Sequence, residues 1–278
     1  MLPLSAFADE ISPDLPTQIR VCRSHGISHI ELRGVEGKNV LDFDPPLRRE
    51  IKARLDDAGM WVVAIGSPIG KVAIDRPWED HFARFKLAVE LAEFFAAPFI
   101  RVFSYYPAGG EGRGPVAPHR SEVIDRFRAK VEFLADRSIT LVHENEKGIY
   151  GDTGERCLDL LSTVNSPRLR AAFDFANFVQ CGENPLENWR KLKEMTAHFH
   201  IKDAFRTTGE VVPAGRGDGQ LAPILADAWH SGYRGFLSLE PHLKVAGHSH
   251  GETGEALFDV AVASLRELCD SIGVPLQS

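Results

Sequence analysis

Four side chains that can ligate a divalent cation follow one another along the sequence at intervals of about one βα unit. Each lies at or near the end of a short apolar run: Glu144, Asp174, His200 and Glu240. A buried carboxylate is costly unless a cation or hydrogen bonds compensate it. Three carboxylates and one imidazole form a mainly oxygen site, which suits Mn²⁺, Mg²⁺ or Co²⁺, with Zn²⁺ also compatible. The pattern predicts one divalent metal ion bound by these four residues.

Eight short apolar runs alternate with longer amphipathic segments, which is the pattern of βα units around a parallel sheet. The runs begin at Leu4, Ser28, Trp61, Pro98, Ser138, Leu169, Ala197 and Gly235. Eight units in 278 residues match the size of a (β/α)8 barrel, and we expect one α/β domain over residues 1–278. An open doubly wound sheet is the alternative, but it would usually have fewer strands and a Gly-rich first turn.

Strand alternation places the candidate ligands inside this barrel, at the carboxyl ends of the strands where such barrels carry their active sites. In the sixth run the phenylalanines would face the helices and leave Asp174 inside, and in the eighth run the leucines would do the same for Glu240. The same alternation points further side chains inward, namely Arg101, Val142, Glu144, His198, His200 and Lys202. The ligands therefore meet at one rim.

Composition narrows the class of partner. The formal net charge of −7 argues against binding to a phosphate backbone, although it leaves a local basic patch open. The four cysteines lie far apart and predict reduced, mostly buried thiols. The first residues lack a basic leader, and no window approaches about 18 uninterrupted apolar residues, so we expect a soluble cytoplasmic protein without a membrane partner.

Some candidates allow two interpretations. Arg101 inside a barrel needs a carboxylate, so it either forms a structural ion pair, with Glu31 as the candidate partner, or binds substrate. The glycine-rich segment 214–220 is either a flexible loop or a phosphate cradle, in which Arg206 and Arg216 would flank a docked anionic group.

Glu146 and the segment that contains His248 and His250 also have more than one interpretation. Glu146, just beyond the fifth run, is interpreted as a supporting or loop residue instead of a ligand. His248 and His250 lie in a loop that opens the last helix, with a metal-binding tract as the less favoured alternative.

As a set, seven segments resemble the xylose isomerase-like sugar isomerases and epimerases, a superfamily that also contains ketose 3-epimerases, inosose dehydratases and endonuclease IV. The segments are "FADEIS", "IELR", "HENE", "FDFAN", "HFHIKD", "GRGDG" and "GYRGFLSLE". The resemblance implies the same four metal ligands, and it implies that Arg206 holds substrate oxygens. One position departs from the family, since Asn177 stands where a histidine is often found.

The resemblance and the ligand set together predict a metal-dependent isomerase or epimerase of a small sugar, keto-polyol or sugar phosphate. Glu144 and Glu240 would move a proton next to the carbonyl through an enediolate. The expected substrate contacts are Arg206, Lys202, Arg101, His198 and Asn177. Dehydration of a keto-inositol is the alternative, and an endonuclease IV-like hydrolase is disfavoured because strand-end histidines are missing from the early runs. The expected partner is a small carbohydrate, without nucleic acid, and homo-oligomerisation is left open.

Overall fold

Eight parallel strands close into a barrel in the computed structural model, which describes residues 1–244 and 252–277. The strands are β1 (Leu4–Ala6), β2 (His29–Leu32), β3 (Trp61–Ile65), β4 (Phe99–Val102), β5 (Thr140–Glu144), β6 (Leu169–Asp174), β7 (Thr196–Ile201) and β8 (Leu237–Leu239). Sequential strands are neighbours, and β1 pairs with both β2 and β8 to close the ring. Each predicted apolar run overlaps one strand of the barrel, which confirms the (β/α)8 fold.

Nine α-helices surround the barrel within the described ranges. They are α1 (Leu15–Ser24), α2 (Pro45–Asp57), α3 (Trp78–Phe95), α4 (Arg120–Phe133), α5 (Gly154–Val164), α6 (Phe175–Gln180), α7 (Pro185–Leu192), α8 (Leu221–His230) and α9 (Glu255–Ser271). Two small antiparallel hairpins follow β2 and β7, pairing Gly34–Val35 with Lys38–Asn39 and Asp203–Ala204 with Val211–Val212. No helix among the described residues has the length and apolarity needed to cross a membrane.

Glycines lie between the ends of three helices and the strands that follow them. Gly26, Gly59 and Gly232 follow the ends of α1, α2 and α8 with φ of 69°, 62° and 92°. These left-handed values are readily adopted by glycine, which lacks a Cβ, and they reverse the chain toward the next strand.

The outward faces of the strands pack against the helices. Phe173 of β6 makes an edge contact with Trp189 of α7 at 5.9 Å between ring centroids, and Phe199 of β7 stacks on Phe175 at 5.5 Å. This apolar shell forces the alternate residues of the same strands, Asp174 among them, into the barrel. The four cysteines are free thiols, as expected, and three of them are buried.

Candidate functional site

The four predicted metal ligands come together at the carboxyl end of the barrel. Glu144 and Asp174 are the last residues of β5 and β6, His200 lies one residue before the end of β7, and Glu240 directly follows β8. One ligand atom from each residue lies within 4.8 Å of the others, and at most 2% of any of the four is exposed. The structure thus assembles the group, and binding of an ion to it remains a prediction.

The chemistry of this group fits a divalent cation. His200 Nδ1 has no hydrogen-bond partner and lies 3.4 Å from Glu144 Oε2 and 3.8 Å from Glu240 Oε2. Asp174 Oδ2 also lacks a hydrogen bond. Lys202 Nζ lies 2.9 Å from this oxygen, but the angle between them does not allow a hydrogen bond. Burial raises the pKa of Asp174 to about 7, and the neighbouring glutamates add to this against the opposing charge of Lys202. A cation at this point would satisfy the unpaired atoms and offset the repulsion.

Arg101 and Lys202 are two of the permanent cations that border the ligand group. Arg101 Nη1 lies 3.1 Å from Glu144 Oε2 and 3.3 Å from Glu240 Oε1, and Lys202 Nζ lies 3.2 Å from Glu240 Oε2. The candidate pairing of Arg101 with Glu31 is wrong, because the arginine reaches the two glutamates of the ligand group instead. Arg101 therefore contacts both glutamates that we predicted to move protons, and Lys202 contacts one of them.

A second layer of charge, centred on Arg33, received no role from the sequence. Arg33 lies 2.8 Å from Asp9 Oδ2, 3.0 Å from Glu240 Oε1 and 3.4 Å from Glu10 Oε1. His242 Nε2 lies 3.0 Å from Glu10 Oε1, and the His242 amide donates to Glu10 Oε2 at 2.8 Å. Strand alternation in "IELR" carried a usable signal, since Arg33 has the same inward parity as Glu31.

Beneath the ligand group, Glu31 faces two histidines of β7. Its Oε1 makes a very short contact with His198 Nε2 and lies 3.1 Å from His200 Nε2. His198, one of the expected substrate contacts, has 0% of its surface exposed and lies two residues deeper in the strand than His200. The structure thus places His198 in the buried layer that lies below the ligand group.

A cavity of about 460 Å³ lies next to the ligand group, and its lining includes residues that contact the group's carboxylates. Three expected substrate contacts line it, namely Lys202, Asn177 and Arg206, and so do Glu146 and His242. Asn177 Nδ2 donates to Glu144 Oε1 at 3.2 Å, so the residue at the divergent family position also holds a ligand carboxylate. The cavity is small and polar, which suits a hydroxylated molecule.

The glycine turn is occupied by a carboxylate of the chain itself. Asp203 accepts the N–H groups of Gly215 (3.0 Å), Gly217 (2.9 Å), Gly219 (2.8 Å) and Ala204 (2.8 Å). A Cβ at Gly217 or Gly219 would lie 2.5 or 2.6 Å from Asp203 Oδ1, which explains the spacing of the glycines.

The prediction that these N–H groups cradle a phosphate is therefore wrong, because the Asp203 carboxylate already accepts hydrogen bonds from them. Arg216 does not flank a binding site either, because it pairs with Glu267 on the surface at 2.7 Å. Arg206 lines the cavity, and its Nη2 donates to the backbone carbonyl oxygen of Glu183 at 2.8 Å. His248 and His250 lie outside the described residues.

Comparison with known proteins gives one curated relative, the 3-dehydroshikimate dehydratase of Bacillus anthracis, at 24% identity over 187 residues. The match covers 66% of this chain and 65% of that relative, which is less than two thirds of the relative's own length. A xylose isomerase-like TIM barrel protein from Mycobacterium smegmatis, solved in complex with magnesium, superposes with a TM-score of 0.73 at 17% identity and covers 99% of this chain and 98% of that one.

An L-ribulose 3-epimerase structure superposes with a TM-score of 0.72 at 16% identity, over 98% of this chain and 95% of that chain. At these identities the structures support the fold alone. The family model described as xylose isomerase-like TIM barrel matches residues 19–268. With nearly the whole barrel covered by that match, the chain belongs to the xylose isomerase-like TIM barrel family.

Proposed function

We propose that the protein is a divalent-metal-dependent isomerase or epimerase of a small hydroxylated carbonyl compound such as a sugar, keto-polyol or sugar phosphate. The observation that carries this proposal is the placement of two glutamates, Glu144 and Glu240, within one buried ligand group. Asn177 and Lys202, which contact these glutamates, line the adjacent polar cavity. When bound, the ion would polarise the substrate carbonyl and acidify the adjacent C–H bond. The protein's own side chains would then move the proton.

Both glutamates are held ionised and can therefore act as bases. Burial acts to raise the pKa of Glu144, but His200 and Arg101 overcome it and lower the pKa to about 2 despite repulsion from Glu240. Burial acts in the same direction on Glu240, whose pKa Lys202 and His242 hold well below its usual range. Each carboxylate is thus ready to accept a proton at neutral pH and becomes an acid only after it has done so.

The identity of the proton donor decides the product. If one glutamate removes the α-proton and the other returns a proton to the opposite face, the substrate is epimerised. If a proton is returned to the neighbouring carbon from the same side, an aldose and a ketose interconvert. Asn177, Lys202 and Arg206 line the cavity and are proposed to hold substrate oxygens, while Arg101 steadies both glutamates from below.

Dehydration is the second candidate function, and the similarity to 3-dehydroshikimate dehydratase favours it. The first step would be the same removal of an α-proton by a glutamate. A hydroxyl group on the β-carbon would then leave with its bonding pair and take up a proton to give water, forming a C=C bond in place of an epimer.

Metal analysis and solvent exchange test the proposal together. The purified protein is loaded with Mn²⁺ in D₂O and offered a panel of ketoses, keto-inositols, sugar phosphates and 3-dehydroshikimate. We expect metal-dependent deuterium uptake next to one carbonyl, with product identity separating epimerisation, isomerisation and dehydration. Glu144→Gln and Glu240→Gln should lose about 10²- to 10⁴-fold in turnover while binding of Mn²⁺ weakens only modestly. Near wild-type turnover by both variants would contradict the two-glutamate mechanism.

A further inference from the structure

We propose that Glu31 is a positioning residue for the metal site, because its carboxylate holds the His200 proton on Nε2 and leaves the Nδ1 lone pair facing the ion. The inference rests on the proposed function, which supplies the ion. Glu31 itself lies below the ligand group and touches neither substrate nor metal in this role.

Both nitrogens of His200 face carboxylates, one on each side of the ring. Nε2 lies 3.1 Å from Glu31 Oε1, whereas Nδ1 points to the ligand group at 3.4 Å from Glu144 Oε2. A ligand imidazole is neutral and carries one proton. An ion held by Glu144 and Glu240 would keep that proton off Nδ1, and the Glu31 carboxylate would stabilise it on Nε2. The N–H of Nε2 is out of line for a straight hydrogen bond, but Coulomb attraction at this distance does not require one.

Glu31 reaches His200 from across the barrel interior. It projects from β2, whereas His200 belongs to β7, and strands β8 and β1 lie between them in the ring. Glu31 is 1% exposed and His200 0%, so bulk water cannot replace the carboxylate if it is removed. Metal-binding histidines commonly have a carboxylate at the second nitrogen, and loss of that carboxylate weakens metal binding by about 10- to 100-fold.

His198 supplies a matched control. It contacts the same Glu31 oxygen through its own Nε2 and is fully buried, yet it lies outside the four-residue ligand group. Replacing His198 therefore disturbs the same buried layer without removing the acidic neighbour of His200. A merely structural role for Glu31 would make the two positions behave alike.

Calorimetric titration of chelator-stripped protein with Mn²⁺ gives the first readout. Glu31→Gln keeps the size of the side chain but removes its charge, and we expect about 10- to 100-fold weaker binding. His198→Gln should bind Mn²⁺ nearly as tightly as the wild type. Melting temperatures of the stripped proteins are measured alongside, so that a loss of folding is separated from a loss of affinity.

Nitrogen NMR of the Zn²⁺-loaded wild type gives a readout that needs no Glu31 variant. With ¹⁵N-labelled histidine, His200 should show a protonated Nε2 and a metal-bound Nδ1, its signal being assigned by its absence in His200→Ala. A proton on Nδ1 would overturn the inference. Equal Mn²⁺ affinity of the wild type and Glu31→Gln, or an equal loss in His198→Gln, would overturn it while the proposed function stands. A wild type that binds neither ion would overturn both.

Discussion

Removing the Asp203 carboxylate should destabilise the protein through the glycine turn. In Asp203→Ala, four backbone N–H groups lose their acceptor, those of Ala204, Gly215, Gly217 and Gly219. The turn precedes α8 and contacts the segment that carries Arg206, whose amide donates to Asp218 at 2.7 Å. Stability and the placement of a cavity residue are thus linked at one side chain.

The size of the effect follows from which N–H groups water can reach. Gly215 is exposed and Gly217 half-buried, so these two can be rehydrated, but Gly219 and Ala204 are buried. A buried donor left without an acceptor costs about 1–3 kcal/mol, so the two together give a loss of about 2–6 kcal/mol in the free energy of unfolding. That is a large share of the roughly 5–15 kcal/mol that stabilises a typical domain.

Urea denaturation of metal-free protein measures the loss, with Asp218→Ala as the control. Asp218 accepts one bond in the same turn and is exposed, so its replacement should cost about 1 kcal/mol or less. Sodium formate should restore part of the stability of Asp203→Ala relative to sodium chloride at equal ionic strength, because formate can occupy the vacated carboxylate position, and it should leave the wild type unchanged. Equal losses in the two variants, or no response to formate, would refute the reasoning.

Two further substitutions test other parts of the chain. Burial and the charges of Lys130 and Arg126 lower the pKa of His81 to about 3. The imidazole therefore stays neutral in the folded protein at pH values below about 6.5, where the same imidazole binds a proton in the unfolded chain. His81 should therefore lower stability by up to about 1.4 kcal/mol per pH unit as the pH drops from 6.5 toward 3. Buried His143, whose pKa burial also lowers to about 3, contributes a slope of its own. In urea titrations His81→Gln should remove its share of the total slope, whereas exposed His230→Gln should keep the wild-type slope. Parallel slopes for the wild type and His81→Gln would contradict the assignment. Arg206→Ala should raise KM by about 10- to 100-fold, with a greater effect on anionic than on neutral substrates, while surface Arg216→Ala should not; matched KM values in the two variants would remove Arg206 from the substrate site.

Strand alternation was enough to predict which residues of the ligand group meet. A period of two residues fixes the face of each side chain, and an apolar neighbour such as Phe173 or Leu239 identifies the outer face without a structure. Parallel strands then bring all carboxyl ends to one rim, where Asp174 and His200 are register partners. Both facts are local or follow from the fold class, so one sequence suffices.

Pairing inside the barrel could not be predicted in the same way. The sequence shows that Arg101, Glu31 and His200 point inward, but strand tilt and stagger decide which of them touch. Arg101 contacts Glu240 across the interior, whereas Glu31 contacts His200. The predicted pair of Arg101 with Glu31 is therefore replaced by these two contacts. The prediction of a phosphate cradle at the glycine turn was wrong for a related reason. The N–H groups of the turn suit an external anion as well as they suit Asp203, and only the fold shows that Asp203 occupies them.

Charge balance at the site argues for a single ion. The connected cluster of ion pairs contains six carboxylates and three permanent cations, which are Asp9, Glu10, Glu31, Glu144, Asp174 and Glu240 with Arg33, Arg101 and Lys202. Burial acts to lower the pKa of His242, but Glu10 overcomes it and raises the pKa to about 9, so His242 adds a positive charge at neutral pH. With the remaining histidines counted as neutral, as His200 must be to ligate a metal, a charge of −2 remains, and one divalent cation cancels it. A second group, formed by Glu10, Glu240 and His242, has spacing that would admit another ion. Arg33 already contacts both of its carboxylates, so a second dication would meet a guanidinium and leave excess positive charge in a buried site.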